Sequence, residues 1–394
     1  MRKLLLILIC LLYGCTDQRI NPQQMVIDYQ PQDSTYEYLD QYLDSFLHDG
    51  DQLLNKFNDE TITWEITDGN ATIEDNIIHK TSLADEYEKI VLQANIKDKS
   101  YRFDNLCLLD KIHGYLITYF SDDDESLKLA YTYDGLLWYE LNHQESVLEA
   151  TIGTKSLRDP SVVRNKNGGF YLLATQGYDT DSIYVWDTDD FVTFNNERLL
   201  KVNTSTSDLK LKEEQAWAPE GFYDRRIDKY VIYWSSPSDQ GMYLNYTSDF
   251  NDLSYPQLLL DPGFPVIDGT IYKDGYEYNI VLKDERQPME QYSQLFVGYS
   301  DSDYLGFDEY NMDYITGHQS EGPFIIDRGY SCILYYDDYT RMQFKAIWFQ
   351  NFRDHDFADI SHEMVTSVTN VKHGNAIALT YKEFERFSDI YEIS

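Results

Sequence analysis

The sequence has little cysteine, little positive charge and no long apolar run, and each shortage removes a class of protein. Four cysteines in 394 residues cannot staple a fold this large. Cys107 and Cys332 stand alone in apolar, strand-like runs, and are expected as buried thiols without metal-ligand spacing. Lys and Arg total 32 against 68 Asp and Glu, a net charge of −36, so a nucleic-acid partner would be repelled over most of the surface. The N-terminal MRKLLLILICLLYGC contains an apolar stretch of only about ten residues, too short to span a bilayer and suited to a signal h-region behind Arg2 and Lys3. No segment is of low complexity. Dispersed glycines with 35 Tyr, 19 Phe and 6 Trp favour a β-rich globular chain.

Leu12-Tyr13-Gly14-Cys15 resembles a bacterial lipoprotein cleavage box. The resemblance implies a signal peptide over 1–14, a lipid on Cys15, a membrane contact through that lipid and a place on the bacterial cell envelope. Residues 15–33, polar and carrying Pro22 and Pro31, read as a tether. Between Ser34 and Leu54, Tyr36, Leu39, Leu43, Phe46 and Leu47 recur at helical spacing and predict a short amphipathic helix. From about residue 58 the period falls to two, in TITWEIT, ATIEDNIIHK, EKIVLQANIK and SYRFDNL, as in a small antiparallel sandwich. With Trp64 in its ITW position, this segment resembles the immunoglobulin-like domain that precedes many carbohydrate-active enzymes. A domain of helix plus β-sandwich is therefore expected over 34–106.

The rest of the chain repeats. A turn around an Asp recurs in YTYDGLLWYEL, WDTDDFVTF, YTSDFNDLSY, YSDSDYLGF and NFRDHDFADI, and alternates with an aromatic strand in GYLITYF, GGFYLLAT, DKYVIYWSS, DGYEYNIVLK and GYSCILYYDDY. Several short strands in a unit of roughly fifty residues are the mark of a β-propeller. The expected fold is all-β, a five-bladed propeller over 107–388 behind the small N-terminal sandwich. The final strand, NVKHGNAIALTY, completes the blade begun near residue 110 and closes the ring.

Each unit opens with a strand that starts beside an ionisable residue: RDPSVVRN, WAPEGFYD, VIDGTIYK, SEGPFIID and KHGNAIAL. In a propeller the innermost strands line the axis, so Asp159, Glu220, Asp268, Glu321 and His373 are expected to meet at one mouth, at one phase of the repeat. The series RDPSV, WAPE, VIDG, SEGP and HG resembles the five-bladed glycoside hydrolase family 43 over about residues 107–385. That resemblance implies a carbohydrate substrate, Asp159 as general base, Asp268 as the residue that tunes and orients the acid, and Glu321 as general acid. It implies no required cofactor, and allows a structural calcium ion at the propeller centre beside His373. Trp217, Glu220, Arg158 and Lys283 are the expected substrate contacts, with Glu220 and Trp217 equally able to serve the fold.

Inverting hydrolysis needs one carboxylic acid to protonate the leaving oxygen and one carboxylate to activate water, roughly 6.5–9.5 Å apart. Burial and the charge of Asp268 are expected to raise the pKa of Glu321, with Asp159 ionised. The implied substrate is an arabinose- or xylose-containing plant polysaccharide. A fructan hydrolase of family 32 would also carry Asn-Asp-Pro-Asn-Gly and Glu-Cys motifs, absent here, and a glycan-binding lipoprotein without activity would have lost one of the three carboxylates.

Overall fold

The computed structural model describes residues 34–82 and 84–391; the expected signal peptide, lipidated Cys15 and tether lie outside the described residues. The first helix spans Ser34–Tyr42 and stops short of the predicted end. Phe46–His48 forms a strand instead, pairing in parallel with Cys107–Leu109, and Leu47, in register with Leu108, enters the same buried cluster as Leu106 and Leu108. Together with Thr63–Asp68, Glu88–Ile96 and Lys99–Leu109 it makes a four-stranded sheet, flanked by two short hairpins. The last of these strands runs through the boundary expected at residue 106 to Leu109.

Five sheets follow. The first blade holds Ile112–Phe120, Lys128–Thr132 and Leu137–Glu140, with Lys372–Thr380 antiparallel to Ile112–Phe120 as its innermost strand. The expected C-terminal clasp is thus present. The second to fifth blades open with inner strands Arg158–Arg164, Trp217–Asp224, Val266–Asp274 and Ser320–Asp327, each paired outward to three further strands. The five inner strands touch in cyclic order, closing the ring.

Both faces of each blade are buried, so alternate residues of one strand feed different cores. Leu172 packs towards the first blade and Leu173 towards the third; Ile280 packs towards the third and Val281 towards the fifth. The repeated Asp turn has a plain cause. Thr132, Thr188 and Thr247 each accept, through the side-chain oxygen, the backbone N–H three residues on at 2.9 Å, while Asp134, Asp190 and Asp249 accept the next N–H groups. These bonds satisfy the corner between third and fourth strands.

A helix over Tyr381–Ser388 was not foreseen. Thr380 and Glu383 form a capping box, and Phe384 and Phe387 fill the gap between the first two blades. Glu383 also pairs with Arg164, buried at the far end of an inner strand.

Candidate active site

All five inner strands slip register at the same mouth: between Arg158 and Ser161, Trp217 and Glu220, Ile267 and Thr270, Glu321 and Phe324, and Lys372 and Gly374. Each bulge re-aims the side chains around it. Asp159, Ala218, Asp268 and Gly322 occupy the bulge with φ of 47°, 44°, 54° and 59°. This left-handed backbone costs a non-glycine residue about 1–2 kcal/mol. Neighbouring blades offset the cost by catching the bulge N–H groups. Ala218 donates to Thr175 Oγ1 at 2.8 Å, Asp268 to Ser235 Oγ at 3.1 Å and His373 to Asp337 Oδ2 at 2.9 Å.

The bulge corrects the expected phase. The residues before the slip, Arg158, Trp217, Ile267, Glu321 and Lys372, occupy equivalent register positions, and Asp159, Ala218, Asp268, Gly322 and His373 follow as the next set. Glu321 therefore stands one position before Asp159 and Asp268 in phase, and Glu220 two positions beyond. Burial follows from that shift. Glu220 accepts from Tyr233 Oη at 2.5 Å, Thr270 Oγ1 at 3.1 Å and Asn375 Nδ2 at 3.1 Å, which engages both its oxygens inside the channel. These three bonds give Glu220 the role in the fold that was expected as the alternative to a sugar contact.

At the mouth, His373 Nδ1 lies 3.6 Å from Asp159 Oδ1 and 3.7 Å from Asp268 Oδ2. Gly322 N–H donates to Asp268 Oδ2 at 3.1 Å. Glu321 takes a bond from Lys283 at 2.8 Å and another from Lys372 at 3.1 Å. Lys283, expected at the substrate, has a side chain only 1% exposed and is held between Glu321 and Glu285. Arg158 sits with its guanidinium 4.7 Å from the Phe120 and Tyr178 rings, paired to Asp122 and Glu125. Trp217 donates to the Tyr178 carbonyl at 2.7 Å and meets the exposed Tyr178 ring edge-on. Arg158 and Trp217 are thus linked through Tyr178, beside the carboxylates.

Gly322 packs directly against His373. A Cβ there would stand 2.9 Å from His373 Cγ and 3.0 Å from its Cα, on a backbone with φ of 59°. Gly322→Ala is expected to displace His373 and lower turnover about a hundredfold. Steady-state kinetics beside a thermal melt check this; an unchanged kcat would show that the imidazole position is immaterial.

The charge distribution overturns one expectation. Burial raises the Glu321 carboxyl, but Lys283 and Lys372 outweigh it and hold the group down to about 2, so Glu321 is ionised in the free protein. The proton belongs elsewhere. Burial, with the charges of Glu321 and Asp159 and against His373 and Lys283, pushes Asp268 up to about 6. Asp337, fully buried opposite Glu321 in register, is pushed well above the carboxylate range by burial and by Glu321. It stands where the second and third blades carry Thr175 and Ser235, so a protonated carboxyl replaces a hydroxyl. Lys372 and Asp337 were missed in the sequence. A lysine adjoining the His of an inner strand, and a charged pair ending the otherwise apolar CILYYDD, were the available signals.

Among the described residues no group of three or more His, Cys, Asp or Glu side chains could hold a metal ion. His373 Nδ1 lies between the carboxylates of Asp159 and Asp268.

Residues 110–385 match the family model described as "Probable glycosyl hydrolase domain", a model related to glycoside hydrolase family 43. The chain belongs to this family. Over 182 residues it is 25% identical to an α-L-arabinofuranosidase of Bifidobacterium longum subsp. longum, covering 37% of this chain and 16% of that protein. The chain thus spans less than a fifth of the length of that curated relative. Among solved structures, it is similar to a family 43 protein from Bacillus licheniformis (TM-score 0.47, 12% identity, 69% of this chain and 57% of that one). It is also similar to a thermostable family 43 glycoside hydrolase (TM-score 0.43, 18% identity, 54% and 75%).

Proposed function

We propose that this glycosyl hydrolase cleaves arabinose- or xylose-containing plant polysaccharide or its oligosaccharides with inversion at the anomeric carbon. The observation that carries the reading is the meeting of Asp159, Asp268 and Glu321 from three blades at one mouth, with His373 between the first two. The activity of the Bifidobacterium longum relative supports the choice of sugar. Asp159 activates water. Asp268 and Glu321 act as a coupled pair that shares the acid's proton, held on Asp268 in the free enzyme because two lysines neutralise Glu321. The catalytic domain expected over 107–388 begins at about residue 110, because Lys99–Leu109 completes the N-terminal sheet, and the N-terminal module packs against it through the buried pair Asp40–Arg225.

Purified residues 16–394 assayed against aryl arabinofuranosides, xylosides, galactosides and fructans test this. Release of arabinose or xylose is expected, and activity confined to fructans would contradict it. Cys15 carries a lipid that holds the domain on the bacterial envelope, a reading supported by Leu12-Tyr13-Gly14-Cys15. Metabolic labelling with palmitate is expected to mark the wild type and spare Cys15→Ala; equal labelling of both would sink it.

A further inference from the structure

On the opposite face of the propeller, the far ends of the inner strands and residues 42–53 enclose a cleft of about 1190 Å³. Asp327 lines it, six positions along the inner strand that carries Glu321, so at about 3.3 Å per residue the cleft lies roughly 20 Å from the catalytic mouth.

Three lining residues carry a buried polar atom with no hydrogen-bond partner among the described residues: His48 Nε2, His113 Nε2 and Ser331 Oγ. An unmade bond of this kind is a standing demand for a ligand or for water. Burial lowers both histidines, His48 to about 4, so the imidazoles are neutral near pH 7 and each ring offers one donor and one acceptor nitrogen. Tyr133 and Tyr330 also line the cleft and are 47% and 68% exposed. Six carboxylates line the cleft (Asp44, Asp49, Asp51, Asp134, Asp274 and Asp327) against Lys111, Lys273 and Arg328, an excess of negative charge that disfavours an anionic ligand.

Half-exposed aromatic rings beside unpaired hydroxyl and imidazole atoms match one chemistry. A sugar ring stacks its C–H face on the aromatic and gives its hydroxyls to the lining carboxylates, with the unpaired His48, His113 and Ser331 atoms buried in the wall behind them. We propose that this cleft is a second carbohydrate-binding site, which takes a neutral oligosaccharide stretch of the polysaccharide while another stretch of it occupies the catalytic mouth. The ligand class rests on the glycosidase reading; the site rests on the cleft.

The test is native electrophoresis of the full chain through gels containing arabinan or arabinoxylan, for the wild type, Tyr133→Ala/Tyr330→Ala and Glu321→Gln. The wild type is expected to be retarded, and the double tyrosine variant to bind about tenfold more weakly while its kcat/KM on an aryl glycoside stays unchanged. Tyr330→Ala alone, at a residue 68% exposed, serves where the double variant does not fold. Equal retardation of the tyrosine variants and the wild type would overturn the site. So would its complete loss in a folded Glu321→Gln, which would put all glycan binding at the catalytic mouth. Retardation that needs the tyrosines in a protein that hydrolyses no glycoside would support the cleft and refute the glycosidase reading.

Discussion

Asp159→Asn is expected to lower kcat on an aryl glycoside by about three orders of magnitude, the range a general base supplies, with KM little changed. The fold should survive. Asparagine tolerates the left-handed backbone at φ 47°, and among the described residues the Asp159 carboxylate accepts no backbone hydrogen bond. His373 Nδ1 lies 3.6 Å from its Oδ1, a partner that the amide can still meet. A turn-capping Asp would behave in the opposite way: asparagine would keep the cap, and kcat would not move. The variant therefore separates catalysis from local structure, and a kcat within threefold of the wild type would remove Asp159 from the mechanism.

Lys283→Met is expected to destabilise the protein by about 3 kcal/mol, because it leaves Glu321 and Glu285 facing a buried gap where a cation stood. The loss should depend on pH. A carboxyl held down to about 2 in the folded state contributes stability that is complete above its ordinary value and disappears as the pH falls through 2. The gap in melting temperature between wild type and variant is thus widest at pH 7 and narrows at pH 3. Activity should move as well. Lys283 lowers the carboxyls of both Asp268 and Glu321, so its removal shifts the basic limb of kcat/KM upward from near pH 6 by about one unit. A limb that stays in place would mean that the acid's proton is not shared by this pair.

The fold was legible because repetition carries it. Five Asp turns and five aromatic strands announce five blades, and an unpartnered last strand announces the clasp between Lys372–Thr380 and Ile112–Phe120. The site was legible only in part. A β-bulge inserts one residue without any mark in the sequence, so the strand openings seemed to carry Glu220 and Glu321 in phase with Asp159 and Asp268. That shift sent Glu220 into a buried network and brought Glu321 between two lysines. Lys372 was hidden beside the more conspicuous His373, and Asp337 at the end of a second strand, where its counterparts Thr175 and Ser235 look unremarkable. The charge state of Glu321 followed from those omissions: burial alone argues for a protonated acid, and the two lysines reverse it. The helix after Thr380 was foreshadowed by the capping box in TYKE, which a search for strand repeats passes over.

Proton NMR of the first sugar released from an aryl arabinofuranoside or xyloside, run with the wild type, Asp159→Asn and Glu321→Gln, tests the central claim most directly. The predicted result is an inverted anomer from the wild type and no release above background from either variant. Full release by both variants, or a first product of retained configuration, would contradict a site in which Asp159 directs water against a bond protonated by the Asp268–Glu321 pair.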